Sequence, residues 1–296
     1  MVMSAQGVRL VPFAVSGATG AVGGRVAYHL ANLGHSQRLI VRDAHRAPDL
    51  PKAVAAEASY KEPQAMQRAL AGVGTFFMVS AGEAADRVRQ HVDTIDAAVA
   101  AGVERIVYLS FVGAAPEATF TLARDHWWTE EHVRASSVYA TFLRDNLYLD
   151  MLPALAEADG VIRGPAGDGR VAAVARDDVA DVAIPVLLGE GHDGRTYDVT
   201  GPGAITLQEV AEELSRVTGR IITYHPQTLE EAYASRASYG ASEWEIEGWV
   251  TSYAAIAIGK MSVVSDTGGE LTGHAPMTLA AFLRRYPESY QHLLTG

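Results

Sequence analysis

Three glycines stand at a regular spacing in the run Val15-Ser16-Gly17-Ala18-Thr19-Gly20-Ala21-Val22-Gly23-Gly24-Arg25-Val26. A strand-to-helix turn built this way can hold a pyrophosphate. Gly17 permits the tight turn, Gly20 lets the backbone approach phosphate oxygens, and Gly23 lets the helix pack closely on the sheet. The unpaired amides and positive dipole end of that helix attract the anion. Ala18, Thr19, Ala21 and Val22 complete the candidate cradle. The motif is informative only between a strand and a helix; apolar Pro12-Phe13-Ala14-Val15 precedes it and a helical pattern through Leu33 follows. A plain structural turn of an α/β protein is the alternative.

The next apolar run, Leu39-Ile40-Val41, ends in Arg42, with Arg46 a turn further on. In a dinucleotide site this strand end meets the adenosine ribose, where a carboxylate selects the bare ribose and an arginine attracts a 2′-phosphate. Arg42 and Arg46 therefore favour NADPH. Asp43 keeps NAD open, because a register shift of one residue would put its carboxylate at the ribose. Ligands in such folds sit beyond the carboxyl ends of the strands, so Ser80-Ala81-Gly82 and Ser110-Phe111 are expected to line the cofactor.

A second constellation is Asp125-His126-Trp127-Trp128-Thr129-Glu130-Glu131-His132. On a helix His126 and Glu130 share a face, so the carboxylate could orient or charge the imidazole. An ordinary surface pair is the plainer reading. Of the two tryptophans, one is expected in the core and one against a pocket. Several motifs are absent. The lysines are Lys52, Lys61 and Lys260, and the positions four before them hold Pro48, Glu57 and Ile256, so no tyrosine–lysine catalytic pair exists. Gly259-Lys260 is followed by Met261, which excludes a P-loop. No serine-hydrolase elbow or zinc helix occurs, and the scattered histidines suggest no metal site.

The elements that must position these residues alternate. Strand patterns fall at Phe13–Ser16, Arg38–Arg42, Val54–Ala58, Thr75–Ser80 and Arg105–Ser110, with helical patterns at Val22–Leu33, Pro63–Ala71 and Asp86–Ala101 between them. This order predicts an α/β fold, a Rossmann-like doubly wound parallel sheet with a smaller mixed α/β C-terminal lobe. Further strands are expected at Tyr139–Leu143, Thr196–Val199 and Ile221–Tyr224. Thr206, with Glu209 three residues on and Gly219 closing, marks a helix over Leu207–Thr218. We expect a cofactor domain over residues 1–150, with 176–200 returning to its sheet, and a substrate-side lobe over 151–175 and 201–296. A net charge of −11 argues against nucleic-acid and anionic-membrane partners. The chain has no cysteine, no signal-peptide pattern in its first residues and no apolar run of membrane-spanning length, which together suggest a cytoplasmic enzyme. Homo-oligomerisation stays open.

Taken together, the motifs resemble the NmrA-like group of atypical short-chain dehydrogenase/reductases, in particular its quinone oxidoreductase and triphenylmethane reductase branch. The resemblance covers nearly the whole chain. It rests on Gly17-Ala18-Thr19-Gly20-Ala21-Val22-Gly23-Gly24, on Val41-Arg42-Asp43 with Arg46, and on Ala101-Gly102-Val103-Glu104-Arg105-Ile106-Val107-Tyr108-Leu109-Ser110. His126-x-x-Thr129-Glu130, Thr141-Phe142-Leu143-Arg144, Arg176-Asp177-Asp178-Val179-Ala180 and Tyr197-Asp198-Val199-Thr200-Gly201-Pro202 complete it. It implies NADPH on the glycine turn and Arg42, with hydride passed to an electron-poor aromatic acceptor, and it makes His126 a pocket residue. The chain departs from the pattern at Asp145, where relatives often carry Asn (here Asn146), and at Phe111, where some carry serine.

A simple ketone becomes an alkoxide on reduction and needs an acid beside it, whereas a quinone becomes a stabilised phenolate and a cationic dye is neutralised. Lacking the tyrosine and lysine, the chain is expected to reduce quinone-like acceptors by positioning them. Phe111, Trp127 and Tyr148 are candidates for an apolar wall, Asn146 for a substrate contact, and His126 for a late proton. A nucleotide sensor that binds NADP(H) without turnover and a dedicated biosynthetic reductase are the alternatives.

Overall fold

The computed structural model describes residues 11–294. Strand β1 (Val11–Ser16) leads through the glycine turn into helix α1 (Ala21–Asn32). Val22, Val26, Ala27, Leu30 and Ala31 of α1 recur at helical spacing, and this stripe is buried. Strands β2 (Gln37–Val41) and β3 (Ala53–Glu57) follow, then α2 (Pro63–Leu70), β4 (Val73–Val79), α3 (Arg87–Ala100) and β5 (Arg105–Phe111). Pro63 opens α2, where its missing N–H costs no hydrogen bond. Next come α4 (Thr121–Ala135), β6 (Tyr139–Asp145), β7 (Val161–Gly164), β8 (Arg170–Val171), α5 (Arg176–Leu188) and β9 (Thr196–Val199).

The main sheet runs β3-β2-β1-β4-β5-β6-β9. Its pairs from β3 to β5 are all parallel. Strand order therefore reverses between β1 and β4, the switch point where ligands of a doubly wound sheet bind. The fold is Rossmann-like, as the alternating pattern predicts. One face of the sheet packs Phe76, Met78, Ile106 and Tyr108 against Met66 and Leu70 of α2 and Ile95 and Ala98 of α3. A sheet covered by helices explains why Thr75-Phe76-Phe77-Met78-Val79 carries no polar alternation.

Beyond β9 the chain forms β10 (Ile205–Thr206), α6 (Leu207–Thr218), β11 (Thr223–Pro226), α7 (Leu229–Arg236), α8 (Glu243–Ala257), α9 (Thr267–Thr272) and α10 (Leu279–Arg285). Helix α6 has the expected bounds, with the Thr206–Glu209 capping box formed and Gly219 left-handed at its end. Strand β11 lies later than the expected Ile221–Tyr224. Among the described residues its only partner is β7, so Pro226, which cannot donate, is tolerated on this edge.

Two compact units divide the chain. Of the described residues, unit 1 holds those up to Phe111 with Asp125–Arg144 and Val179–Tyr197; unit 2 holds Val112–Arg124, Asp145–Asp178 and those from Asp198 onward. Unit 2 contains two small sheets, β10 antiparallel to β8 and β11 parallel to β7. Among the described residues no helix is long and apolar enough to cross a membrane.

Candidate functional site

In unit 1 the carboxyl ends of β1, β2 and β4 open into a cleft of about 540 Å³. Gly17, Thr19, Gly20, Arg42, Ser80, Ala81 and Gly82 line it. Gly17 has a φ of 61°, a left-handed conformation that strains any side chain. Gly20 is the N-cap of α1 in extended conformation; no side chain caps the helix and its first turn carries no acid. The first amides of α1 are thus left for an anion. A Cβ on Gly23 would lie 2.5 Å from the carbonyl oxygens of both Ser16 and Gly17. Ala18 and Val22 are buried, while Ala21 is exposed. The turn therefore has the form a dinucleotide pyrophosphate requires, and the residues present fit the cofactor.

Beside the turn, Ser16 Oγ accepts the Val79 N–H at 2.8 Å. The Tyr60 hydroxyl lies 2.7 Å from Ser16 Oγ and 2.6 Å from the Val79 carbonyl oxygen. Burial raises the Tyr60 pKa, so the phenol stays neutral. Arg42 is in the lining; Asp43 is not, because its carboxylate caps a 3-10 turn by accepting the His45 N–H at 2.9 Å. Arg46 belongs to that exposed turn and lies outside the lining. A second cation in the lining, Lys61, escaped the sequence reading. It stands 4.0 Å from Asp86.

Behind Ala81, α3 and α4 of unit 1 carry a buried polar network. Arg87 Nη2 donates to His126 Nε2 at 3.0 Å, and His126 Nδ1 faces the Tyr108 hydroxyl at 2.9 Å. A guanidinium can only donate, so Nε2 of His126 carries no proton and Nδ1 carries it. By the same logic the Ala81 N–H donates to His91 Nε2 at 2.8 Å, and His91 Nδ1 donates to Thr129 Oγ1 at 2.8 Å. Thr129 in turn donates to the Asp125 carbonyl at 2.7 Å. Burial first, then the Arg87 charge, hold both imidazoles well below the ordinary histidine pKa. Burial likewise raises the pKa of Tyr108.

The pairing of His126 with Glu130, read from their shared helix face, gives way to other partners. Glu130 is fully buried, accepting from Ser110 Oγ at 2.6 Å and bound by Arg144 and Arg134 at 2.7 Å. The Phe111 ring stands 6.1 Å from the His126 ring, tilted by 32°. Trp127 is half-buried and Trp128 exposed, with ring centroids 4.6 Å apart. Arg87 was missed because nothing in its local pattern distinguishes it from a solvent-facing arginine at a helix start; only the buried groups of α4 reveal it.

Unit 2 has a pocket of about 430 Å³, lined by Val112–Phe120, Ala123, Ala255, Lys260 and Met261. It begins at the residue after β5, and its many alanines make it roomy. Two of its lining residues are anchored by hydrogen bonds: Val112 N–H donates to the Asp145 carbonyl at 2.8 Å, and Asn146 Nδ2 to the Met261 carbonyl at 2.9 Å. Tyr148 donates its hydroxyl to the Asp145 carboxylate, and the Arg176 guanidinium lies 4.5 Å from its ring centroid. Burial, then the Asp145 charge, push the Tyr148 pKa well above that of a free phenol. Neither Asn146 nor Tyr148 is in the pocket lining.

Comparison with known proteins agrees with this geometry. Quinone oxidoreductase 2 of Escherichia coli is 32% identical over 289 residues, 95% of this chain and 98% of that protein. An NAD(P)H azoreductase of Xenophilus azovorans is 30% identical over 93% of this chain and 98% of its own length. The structure of an NADPH-dependent quinone oxidoreductase from Escherichia coli with bound NADPH superposes with a TM-score of 0.84 at 31% identity, covering 92% of this chain and 99% of that one. That of Citrobacter sp. triphenylmethane reductase with NADP(H) gives 0.82 at 31% identity, with the same coverage. The family model described as NmrA-like matches residues 12–263. The chain belongs to the NmrA-like family.

Proposed function

We propose that this protein is an NADPH-dependent reductase of quinone-like or other electron-poor conjugated acceptors. Bound NADPH supplies the hydride. The turn from Gly17 to Gly23 would hold its pyrophosphate and Arg42 its ribose end, with Ser80, Ala81 and Gly82 lining the same cleft. Unit 2 takes the acceptor in the pocket that starts at Val112.

One observation carries the choice of acceptor: among the described residues, the buried imidazoles of His91 and His126 are held neutral and the buried phenols of Tyr108 and Tyr148 are held protonated. His126 is neutral with both ring nitrogens engaged, and Tyr108 and Tyr148 are phenols with raised pKa. Reduction of an isolated ketone would stall without a group poised to give a proton. Acceptors whose product is a stabilised phenolate or a neutralised cation need positioning instead. The quinone oxidoreductase and azoreductase relatives support the reading. The test is turnover across an acceptor series at fixed NADPH. Quinones and cationic dyes should react, and unactivated ketones should not; preferential ketone reduction would refute the proposal.

A further inference from the structure

We infer that Arg87 and His91 of α3 are positioning residues that grip Ala81, in the wall of the cofactor cleft, by both of its backbone polar groups and tie it to α4. The inference rests on the cleft being the NADPH site proposed above. Arg87 Nε donates to the Ala81 carbonyl at 3.0 Å, while His91 Nε2 accepts the Ala81 N–H at 2.8 Å. Residues 80–82 lie outside every strand and helix, so no sheet ladder meets these groups. Arg87 and His91 are one helical turn apart, which sets both side chains on the same face of α3.

Each side chain of the clasp also reaches α4. His91 Nδ1 meets Thr129; Arg87 Nη2 meets His126, and Arg87 Nη1 lies 3.6 Å from Asp125. Arg87 is only 5% exposed, so the clasp is part of the interior rather than a surface contact. It requires neutral imidazoles, since a proton on His91 Nε2 would oppose the Ala81 N–H. The groups facing His91 are Arg87 on its own helix, Tyr60 after β3, Tyr108 on β5 and Thr129 on α4. Those around His126 are Arg87 and His91 of α3, Tyr108 of β5 and Arg144 of β6, with Asp125 and Glu130 on its own helix. Arg87 and Arg144 both oppose the imidazolium, so the network favours the one protonation state the clasp uses.

Three measurements test this. NADPH binding is followed by fluorescence titration, without turnover, in the wild type, Arg87→Met, Arg87→Lys and His91→Phe. Each of Arg87→Met and His91→Phe strands a backbone group of Ala81, and the dissociation constant should rise about tenfold. Arg87→Lys should recover only part of the loss, because an ammonium cannot span the fork. Thermal melting in parallel separates the roles: a merely structural residue lowers the melting temperature and leaves affinity unchanged. Histidine nitrogen NMR of the wild type should show His91 and His126 protonated on Nδ1 and not titrating from pH 6 to 8, whether or not the variants fold. Affinities within twofold of wild type, or a protonated Nε2 on His91, would overturn the inference. Failure of the wild type itself to bind NADPH would remove the cofactor reading, and the NMR result would still decide the clasp.

Discussion

Replacing Gly23 by alanine adds one methyl group at the most crowded point of the glycine turn. Its Cβ would sit 2.5 Å from the Ser16 and Gly17 carbonyl oxygens and 2.7 Å from the Gly17 carbonyl carbon, whereas ordinary contact begins at 3.4 Å. All three neighbours are backbone, so no side chain can swing aside. The start of α1 must withdraw by about 0.9 Å, the difference between 3.4 and 2.5 Å. Overpacking of this kind costs about 1–3 kcal/mol. A comparable loss at the cradle, at tenfold per about 1.4 kcal/mol, weakens NADPH binding by about 5- to 140-fold. The matched control is Gly24→Ala, whose Cβ would stand 3.1 Å from the Ala18 carbonyl and asks for a shift of about 0.3 Å. Fluorescence titration with NADPH, with circular dichroism melts on the same samples, reads both effects. Wild-type affinity in Gly23→Ala, or a larger loss in Gly24→Ala, would refute the placement of the pyrophosphate.

Three further outcomes are expected. Arg42→Glu should raise the KM for NADPH about tenfold or more and that for NADH much less, because the lost partner is the 2′-phosphate; equal changes in the two constants would contradict this. His126→Gln, which keeps an acceptor for Arg87, should leave kcat with a saturating quinone within about tenfold, since the imidazole is held neutral and donates no proton to the acceptor. A loss of several orders of magnitude with cofactor binding intact would make His126 an acid. Acid should destabilise the fold through the two depressed histidines. Below pH about 6.5 the unfolded chain binds their protons and the native state does not, so stability present above that value falls by about 1.4 kcal/mol per pH unit for each. Urea midpoints at pH 7, 6 and 5 should drop less steeply in His126→Gln than in wild type, and equal slopes would exclude the linkage.

The fold was legible wherever a strand or helix announces itself within its own span. Phe13–Ser16, Thr75–Ser80 and Arg105–Ser110 alternate with amphipathic helices, and the structure places strands at all three. The capping box at Thr206 fixed the start of α6 because both of its partners lie within one turn. Strands β8 and β10 were not legible, since each is a two-residue segment that exists through the other. The glycine turn could be read residue by residue, as its geometry is a property of the local backbone. The partners of Glu130 could not. A shared helix face shows what can meet along α4, but Ser110 and Arg144 arrive from β5 and β6 and take the carboxylate instead. Arg87 was invisible for the same reason, because the tertiary fold turns it inward, whereas Lys61 stays exposed and only the fold around it brings it to the cleft lining.

The most direct test of the account follows the loss of reduced-nicotinamide absorbance with a saturating quinone, using NADPH and NADH side by side. The account predicts steady turnover with NADPH and a clearly lower kcat/KM with NADH. Tight NADPH binding with no oxidation by any quinone, cationic dye or conjugated imine would contradict it and make the protein a nucleotide-binding sensor.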